Sequence, residues 1–319
     1  VVENGLVGLG VMRRNKHWAG VEEAGFSMGM WLMYQLYRFL GRLPFRLVLY
    51  PVIGYFFLVR VQARRASLDY LQHVSIQTSG LIQSNYLTSF RHFLSFGDTI
   101  LDKILAQTGR YTPDNVTVTG RESLKALIDQ GRGAVLFTAH LGNVELSRAL
   151  AEFRDIRINV LVHTQHAEKF NRILKKINPH TNVDLMQVSS FGAAEAMILS
   201  SKIAAGELVI IAADRIPLTE TKYGVIEASF LGATALFPSG PYILAHVLQC
   251  PVYLMFCFHQ EQQYHLVFEP FADSIHLSRQ NRQASLERYA EYYAERLGAY
   301  CLQSPFQWYN FYPFWKSSL

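Results

Sequence analysis

Leu136-Phe137-Thr138-Ala139-His140-Leu141-Gly142-Asn143-Val144-Glu145 is the stretch from which the rest of the chain can be read. Ala134 to Phe137 is a short apolar run, the pattern of a strand buried on both faces. A small-residue corner follows, then His140. Gly142 and Asn143 suit a turn into a helix start, with Asn143 a good N-cap. Glu145 falls in the first turn of that helix, where exposed backbone N–H groups favour a carboxylate. A histidine thus leaves the carboxyl end of a strand with an acid close enough to bond its ring. That is the arrangement of a general base and its orienting partner.

Spacing alone does not single out this histidine. The chain has 11 His, and three of them stand five residues before an acid: His17/Glu22, His140/Glu145 and His163/Glu168. Roughly one such match is expected by chance. The first has no strand before it. The third follows a strand-like run, Ile158 to Val162, and is a rival. Satisfied structural histidines are the remaining reading.

The 319 residues have room for one large or two ordinary domains. Half are apolar and 13% aromatic, so a sizeable core is available, while the charged share of 17% lies below the usual quarter. That deficit points to a membrane or an apolar ligand. The net charge of +5 is modest and unevenly spread. Cys250, Cys257 and Cys301 have neither metal-ligand nor disulfide-framework spacing, which fits a reducing compartment and no bound metal. Basic residues are not interleaved with aromatics in a nucleic-acid pattern, and no phosphate-binding lysine loop occurs. Arg13, Arg14 and Lys16 are followed by Glu22 and Glu23 before any apolar run, which argues against a secretory signal. Residues 1–25 read as a partly disordered leader, with Met12 a candidate natural start.

Residues 26–65 read as apolar, membrane-associated helices. Ala24 to Tyr37 is a run of 14 uncharged residues, and Leu47 to Val59 a run of 13. A span needs about 20 apolar residues, so neither reaches one. Arg38, Arg42 and Arg46 recur at fours on one helix face, and Arg60, Arg64 and Arg65 follow the second run. Arginines can snorkel from such helices, and Trp31, Tyr34, Tyr37, Tyr50 and Tyr55 suit an interface. Anionic lipid would attract each arginine by roughly 1 kcal/mol. Peripheral or hairpin attachment is expected, without a full span; a buried apolar helical pair is the alternative. Gly25-Phe26-Ser27-Met28-Gly29 matches the nucleophile elbow of serine hydrolases, but no strand precedes it, so Ser27 is set aside.

Residues 66–319 read as the catalytic unit, helical over 66–110 and α/β over 111–319. The expected strands are Val116–Thr119, Ala134–Phe137, Ile158–Val162, Val183–Val188, Leu208–Ala212 and Val225–Phe230. Val252–Phe258 and His265–Phe268 form a hairpin. Helices are expected at Glu122–Asp129, from Asn143, from Ala167, at Ala193–Ala205, Tyr242–Leu248 and Arg282–Gln303. The alternation argues an α/β fold with a mixed central sheet covered by helices. Sites in such sheets gather at the carboxyl ends of strands, where His140 lies. Asp214 and Arg215 follow another strand, with an ordinary loop ion pair as the alternative. Phe230-Leu231-Gly232 and Phe237-Pro238-Ser239-Gly240-Pro241 precede a helix whose free N–H groups could face an anion or an oxyanion.

Taken together these blocks resemble a known family. His140-Leu-Gly-Asn-Val-Glu145 is similar to the His-x4-Asp/Glu block of the lysophospholipid acyltransferase superfamily, in the form seen in the lipid A biosynthesis (late) acyltransferases. Ala213-Asp214-Arg215 sits where that family has an Ala-Asp block. Phe230 to Pro241 resembles its Phe-Gly…Pro-x-Gly-Pro block, and Pro305 with Trp308 its terminal Pro-x-x-Trp. The resemblance covers about residues 20–315 and favours His140 over His163. Three departures mark a divergent branch. His163 to Arg172 replaces an Arg-rich stretch, two short apolar runs replace one membrane helix, and the ending Gln307 to Trp315 is aromatic where lipid A enzymes are basic.

The resemblance implies a glycerolipid acyltransferase-like fold at the cytoplasmic face of a bacterial inner membrane, with no cofactor. It implies transfer of a fatty acyl group from an acyl-carrier-protein or coenzyme A thioester to a hydroxyl or amine of a lipid-like acceptor. His140 would be the base and Glu145 its orienting carboxylate. Asn143, Arg215, Gly232, Ser239 and Gly240 would bind phosphate or the oxyanion, and Asp214 would position Arg215. A thioester or ester hydrolase using the same pair, and a non-catalytic lipid-binding protein, are the competing classes.

Overall fold

The computed structural model describes residues 35, 37–39, 41–106, 116–144, 146, 156–162, 183–187, 192–216, 224–261 and 263–316. The rival pair His163/Glu168, the pair His17/Glu22, Ser27 and Glu145 lie outside the described residues.

Strand β2 (Ala134–Thr138) is buried at every position, as its unbroken apolar run demands of an inner strand with both faces covered. It pairs in parallel with β5 (Leu208–Ala212) on one side and β8 (Val252–Gln260) on the other. Beyond β5 come β3 (Ile158–Val162) and β4 (Val183–Gln187), also parallel. Beyond β8, β9 (Gln263–Ala272) runs antiparallel and pairs with β1 (Val116–Thr119). The result is a mixed seven-stranded sheet in the order β1-β9-β8-β2-β5-β3-β4. Four of the sequence-predicted strands match at both ends: β1, β3, β5 and Val225–Phe230.

The period of two along each strand sorts side chains onto two cores. Val135, Phe137, Val209 and Ile211 join one cluster, which α5 (Ala193–Ala204), α6 (Gly240–Leu248) and α7 (Arg282–Gln303) cover. Ala134, Leu136, Leu208 and Ile210 join the other, under α4 (Arg121–Asp129). Each such side chain contributes roughly 1.5–3 kcal/mol by burial, so a one-residue slip of β2 would forfeit several contributions at once.

A second, two-stranded sheet pairs β6 (Val225–Phe230) with β7 (Ala233–Pro238). The sequence reading assigned no strand between Phe230 and Tyr242. Leu231 (φ 49°) and Gly232 (φ 84°) both adopt the left-handed region, which makes the tight turn that a hairpin prefers.

The N-terminal helices form a separate layer. Helix α1 (Arg42–Val59) joins α2 (Val61–Gln77) through a 94° bend, and α3 (Tyr86–Ala106) follows after a break around Gly80. Phe45, Leu49 and Ile53 of α1 pack on Phe93, Leu101 and Leu105 of α3. Leu47, Tyr55 and Leu58, on other faces of α1, stay exposed. No single described helix is long and apolar enough to cross a membrane; α1 and α2 reach that length and apolarity only as a bent pair. Two of the arginines expected to snorkel have protein partners. Arg46 makes a two-point ion pair with Asp98, and Arg64 donates to the carbonyls of Phe57 and Leu58, capping the end of α1.

Candidate active site

The register of the two central strands builds the site. Thr138 of β2 stands opposite Ala212 of β5. The Ala213 N–H donates to the Thr138 carbonyl at 2.9 Å, extending the ladder past the strand ends. His140 and Asp214 each lie two residues beyond that register pair, so the topology brings them face to face. The His140 backbone N–H donates to Asp214 Oδ2 at 2.8 Å, and His140 Nδ1 lies 2.9 Å from Oδ1. An ionised carboxylate only accepts, so Nδ1 carries the proton and the Nε2 lone pair is left for another partner. Nε2 has no hydrogen-bond partner among the described residues, and 37% of the side-chain surface of His140 stays open.

Asp214 itself is buried and takes a third donor, the indole N–H of Trp308, at 3.1 Å to Oδ2. Burial pushes its carboxyl upward, but the charge and hydrogen bonds of His140 together with Arg215 outweigh this and hold it below the usual carboxylate range. His140 is lowered, first by burial, then by the positive charge of Arg215; Asp214 pulls against both, and Lys103 at the end of α3 adds to the lowering. The imidazole is therefore kept neutral, the state a proton acceptor needs.

Arg215 donates through Nη2 to the Tyr309 carbonyl at 2.7 Å, and its guanidinium lies 5.9 Å from the Tyr312 ring centre. Asp214 was expected to position Arg215. The hydrogen bonds of its side chain go instead to His140 and Trp308, and toward Arg215 it acts as a neighbouring charge. The orienting role that local spacing offered to Glu145 has, in the described residues, a long-range candidate in Asp214.

The C-terminal segment is a strap across this corner. Gly142 N–H donates to the Gln307 carbonyl and Tyr309 N–H to the His140 carbonyl, both at 2.8 Å. Gly142 is required by geometry: its φ is +64°, and a Cβ there would fall 2.1 Å from the Cys257 carbonyl oxygen. The Asn143 N–H bonds that same carbonyl. Val144 is helical, one residue after the expected start at Asn143, and among the described residues the Asn143 side chain does not cap it. Among the described residues both amide atoms are buried without a partner, a burden of about 1–3 kcal/mol that native folds rarely carry without reason.

Gly232 lies in the β6–β7 turn, and Ser239 and Gly240 lie at the start of α6. Gly232 is the hairpin turn glycine, packed against Gln77 of α2. Ser239 precedes α6, its N–H bonded to the Gly224 carbonyl at 2.7 Å. Helix α6 packs Tyr242 on Phe137. No hydrogen bond found among the described residues links Gly232, Ser239 or Gly240 to His140.

Sequence reasoning missed two groups. Trp308 was noticed as part of a Pro-x-x-Trp ending, not as a donor to Asp214. His92, on α3, is completely buried behind the strap: Nε2 lies 2.9 Å from the Trp308 carbonyl and Nδ1 3.0 Å from Ser67 Oγ. Nothing in the sequence near either residue signals these contacts.

A comparison with curated proteins returned no match. The family described as bacterial lipid A biosynthesis acyltransferase matches residues 93–317, more than two thirds of the chain, from within α3 to the far end of the strap. The protein thus belongs to the bacterial lipid A biosynthesis acyltransferase family, and is an acyltransferase of the lipid A type.

Proposed function

We propose that the protein transfers a fatty acyl group from an acyl-carrier-protein or coenzyme A thioester to a hydroxyl or amine of a lipid-like acceptor, with His140 as general base. The observation that supports this most is the His140–Asp214 pair at the carboxyl ends of adjacent central strands, in a chain of this family. With Nδ1–H held by Asp214, the acceptor O–H or N–H gives its proton to Nε2 as its heteroatom attacks the thioester carbon. Asp214 stabilises the imidazolium that forms, as the carboxylate does in a serine-protease triad. The tetrahedral intermediate then collapses, the C–S bond breaks, and the imidazolium returns the proton to the departing thiolate. The acceptor is itself the nucleophile, so no acyl-enzyme is required. The Asn143 amide, without a partner among the described residues, and the Arg215 guanidinium are the groups offered to the oxyanion or to a phosphate of either substrate. Glu145 keeps the orienting role its spacing suggests only as a further element of this proposal.

The exposed apolar side of α1 supports a seat on a bilayer, at the cytoplasmic face of the inner membrane, with the exposed Arg60 at the bend toward headgroups. The test of the whole reading is mass spectrometry of lipids from cells with and without the protein, beside thioester consumption by the purified protein with an acceptor lipid. Acceptor-dependent thioester loss and a new acylated lipid are expected. Release of free fatty acid with no acceptor dependence would replace transfer by hydrolysis.

A further inference from the structure

Trp308 joins two parts of the molecule that the sequence keeps 94 residues apart, and it does so through one polar atom. Its ring is fully buried and wedged at centroid distances of 5.1 Å from Tyr70, 5.0 Å from Phe230 and 4.9 Å from Phe314. An indole N–H can only donate, and when buried it needs an acceptor. The acceptor here is Asp214 Oδ2. The backbone of Trp308 is fixed as well. Its carbonyl faces His92 Nε2 at 2.9 Å; the other nitrogen of His92 is held by Ser67, which Ser89 bonds in turn at 2.9 Å. The next residue, Tyr309, bonds the carbonyl of His140 itself.

We propose that Trp308 is a positioning residue for the His140–Asp214 pair, its indole N–H fixing the carboxylate oxygen that does not bond the imidazole. The assignment rests on His140 acting as the base. Oδ2 takes the His140 backbone N–H and the indole N–H, which leaves Oδ1 aimed at Nδ1. Loss of the indole donor frees the carboxylate to turn about its Cβ–Cγ bond. It also concentrates negative charge that the indole had dispersed, and that charge favours imidazolium. Removing the N–H therefore raises the pKa of His140 while loosening its orientation. Among the described residues, the other charges that face His140 are Arg215 from the end of β5 and Lys103 from α3. Tyr309 and Tyr312 of the strap hold Arg215. None of these groups is altered by the substitutions below.

The experiment is an NMR titration of the His140 imidazole in ¹⁵N-histidine-labelled protein, its resonance assigned by its loss in His140→Gln. Trp308→Phe removes the donor and part of the ring. Because that change also leaves a gap in a buried cluster, a second variant carries 3-benzothienylalanine at position 308, which keeps the two-ring shape and replaces N–H by sulfur. An upward shift of about half a unit or more in both is expected, with the acid limb of kcat/KM moving alongside and kcat falling about tenfold. An unshifted titration in the folded isosteric variant would overturn the proposal, even if activity fell, because the role would then be packing. The titration reads His140 without turnover. Absence of thioester consumption by the unaltered protein would therefore count against the acyltransferase reading and leave this result standing.

Discussion

His140 and His92 flank the same C-terminal strap and have opposite surroundings. His92 spends both ring nitrogens on neutral partners, a serine hydroxyl and a backbone carbonyl, and is sealed from solvent. His140 gives one nitrogen to a carboxylate and leaves the other at a partly open surface. Burial pushes the pKa of His92 down to about 4 with only the Trp308 carbonyl opposing it, whereas at His140 a buried charge pair shares control. The difference teaches that a histidine becomes a candidate base through what it leaves unbonded as much as through its partner. His92 is a fixed link between the helical layer and the strap; His140, bonded to the next strap residue, keeps one ring nitrogen open among the described residues.

The sharpest way to break this contrast is to remove each ring. His140→Ala should lower acceptor-dependent thioester consumption by about 100- to 10,000-fold, with the circular dichroism melting curve unchanged. Asp214→Asn should cost about 10- to 1,000-fold in the same assay, because an amide cannot stabilise imidazolium and meets three donors with one acceptor oxygen. His92→Phe should act mainly on stability. It takes one partner each from the Ser67 hydroxyl, which keeps Ser89, and the Trp308 carbonyl, which keeps the Asn310 N–H, and about 1–3 kcal/mol should be lost in urea unfolding. Removing His92 also changes how stability depends on pH. Its folded pKa lies below its unfolded value near 6.5, so the unfolded chain binds the proton first. Stability is full above about 6.5 and falls as pH drops toward 4, by about 3 kcal/mol from this residue. His73 and His140 are lowered too and act in the same direction. Chemical unfolding of His92→Gln from pH 7 to 4 should show a shallower loss than the unaltered protein. Arg46→Ala sharpens the contrast from the helical side. The Arg46–Asp98 pair is partly exposed, and its loss should cost about 0.2–1 kcal/mol with turnover unaffected.

The sheet was legible because its inner strands are short apolar runs between turn signals. Leu208–Ala212 and Ile158–Val162 could hardly be anything but buried strands. The register that faces His140 with Asp214 was not legible, since it depends on which strands become neighbours. The residues are 74 positions apart, and local spacing naturally favoured Glu145. Strand β7 escaped because its ends read as loop: Gly232 on one side, Pro238 followed by Gly240 and Pro241 on the other. The aromatic ending was read as a departure that marks a divergent branch. Trp308, Tyr309 and Phe314 are buried, so these three at least serve packing. The glycine of the His-x-Gly-Asn block was read as a turn residue, and the structure adds the close approach of Cys257 that makes it necessary.

The most direct test of His140 as general base is the pH dependence of acyl transfer in the unaltered protein and in His140→Ala. Turnover should fall on the acid side through one ionisation below 6.5, since only neutral imidazole accepts the proton and the surroundings lower its pKa. In folded His140→Ala the residual rate should lack that limb. A limb of the same midpoint in both proteins would place the base elsewhere and contradict the account.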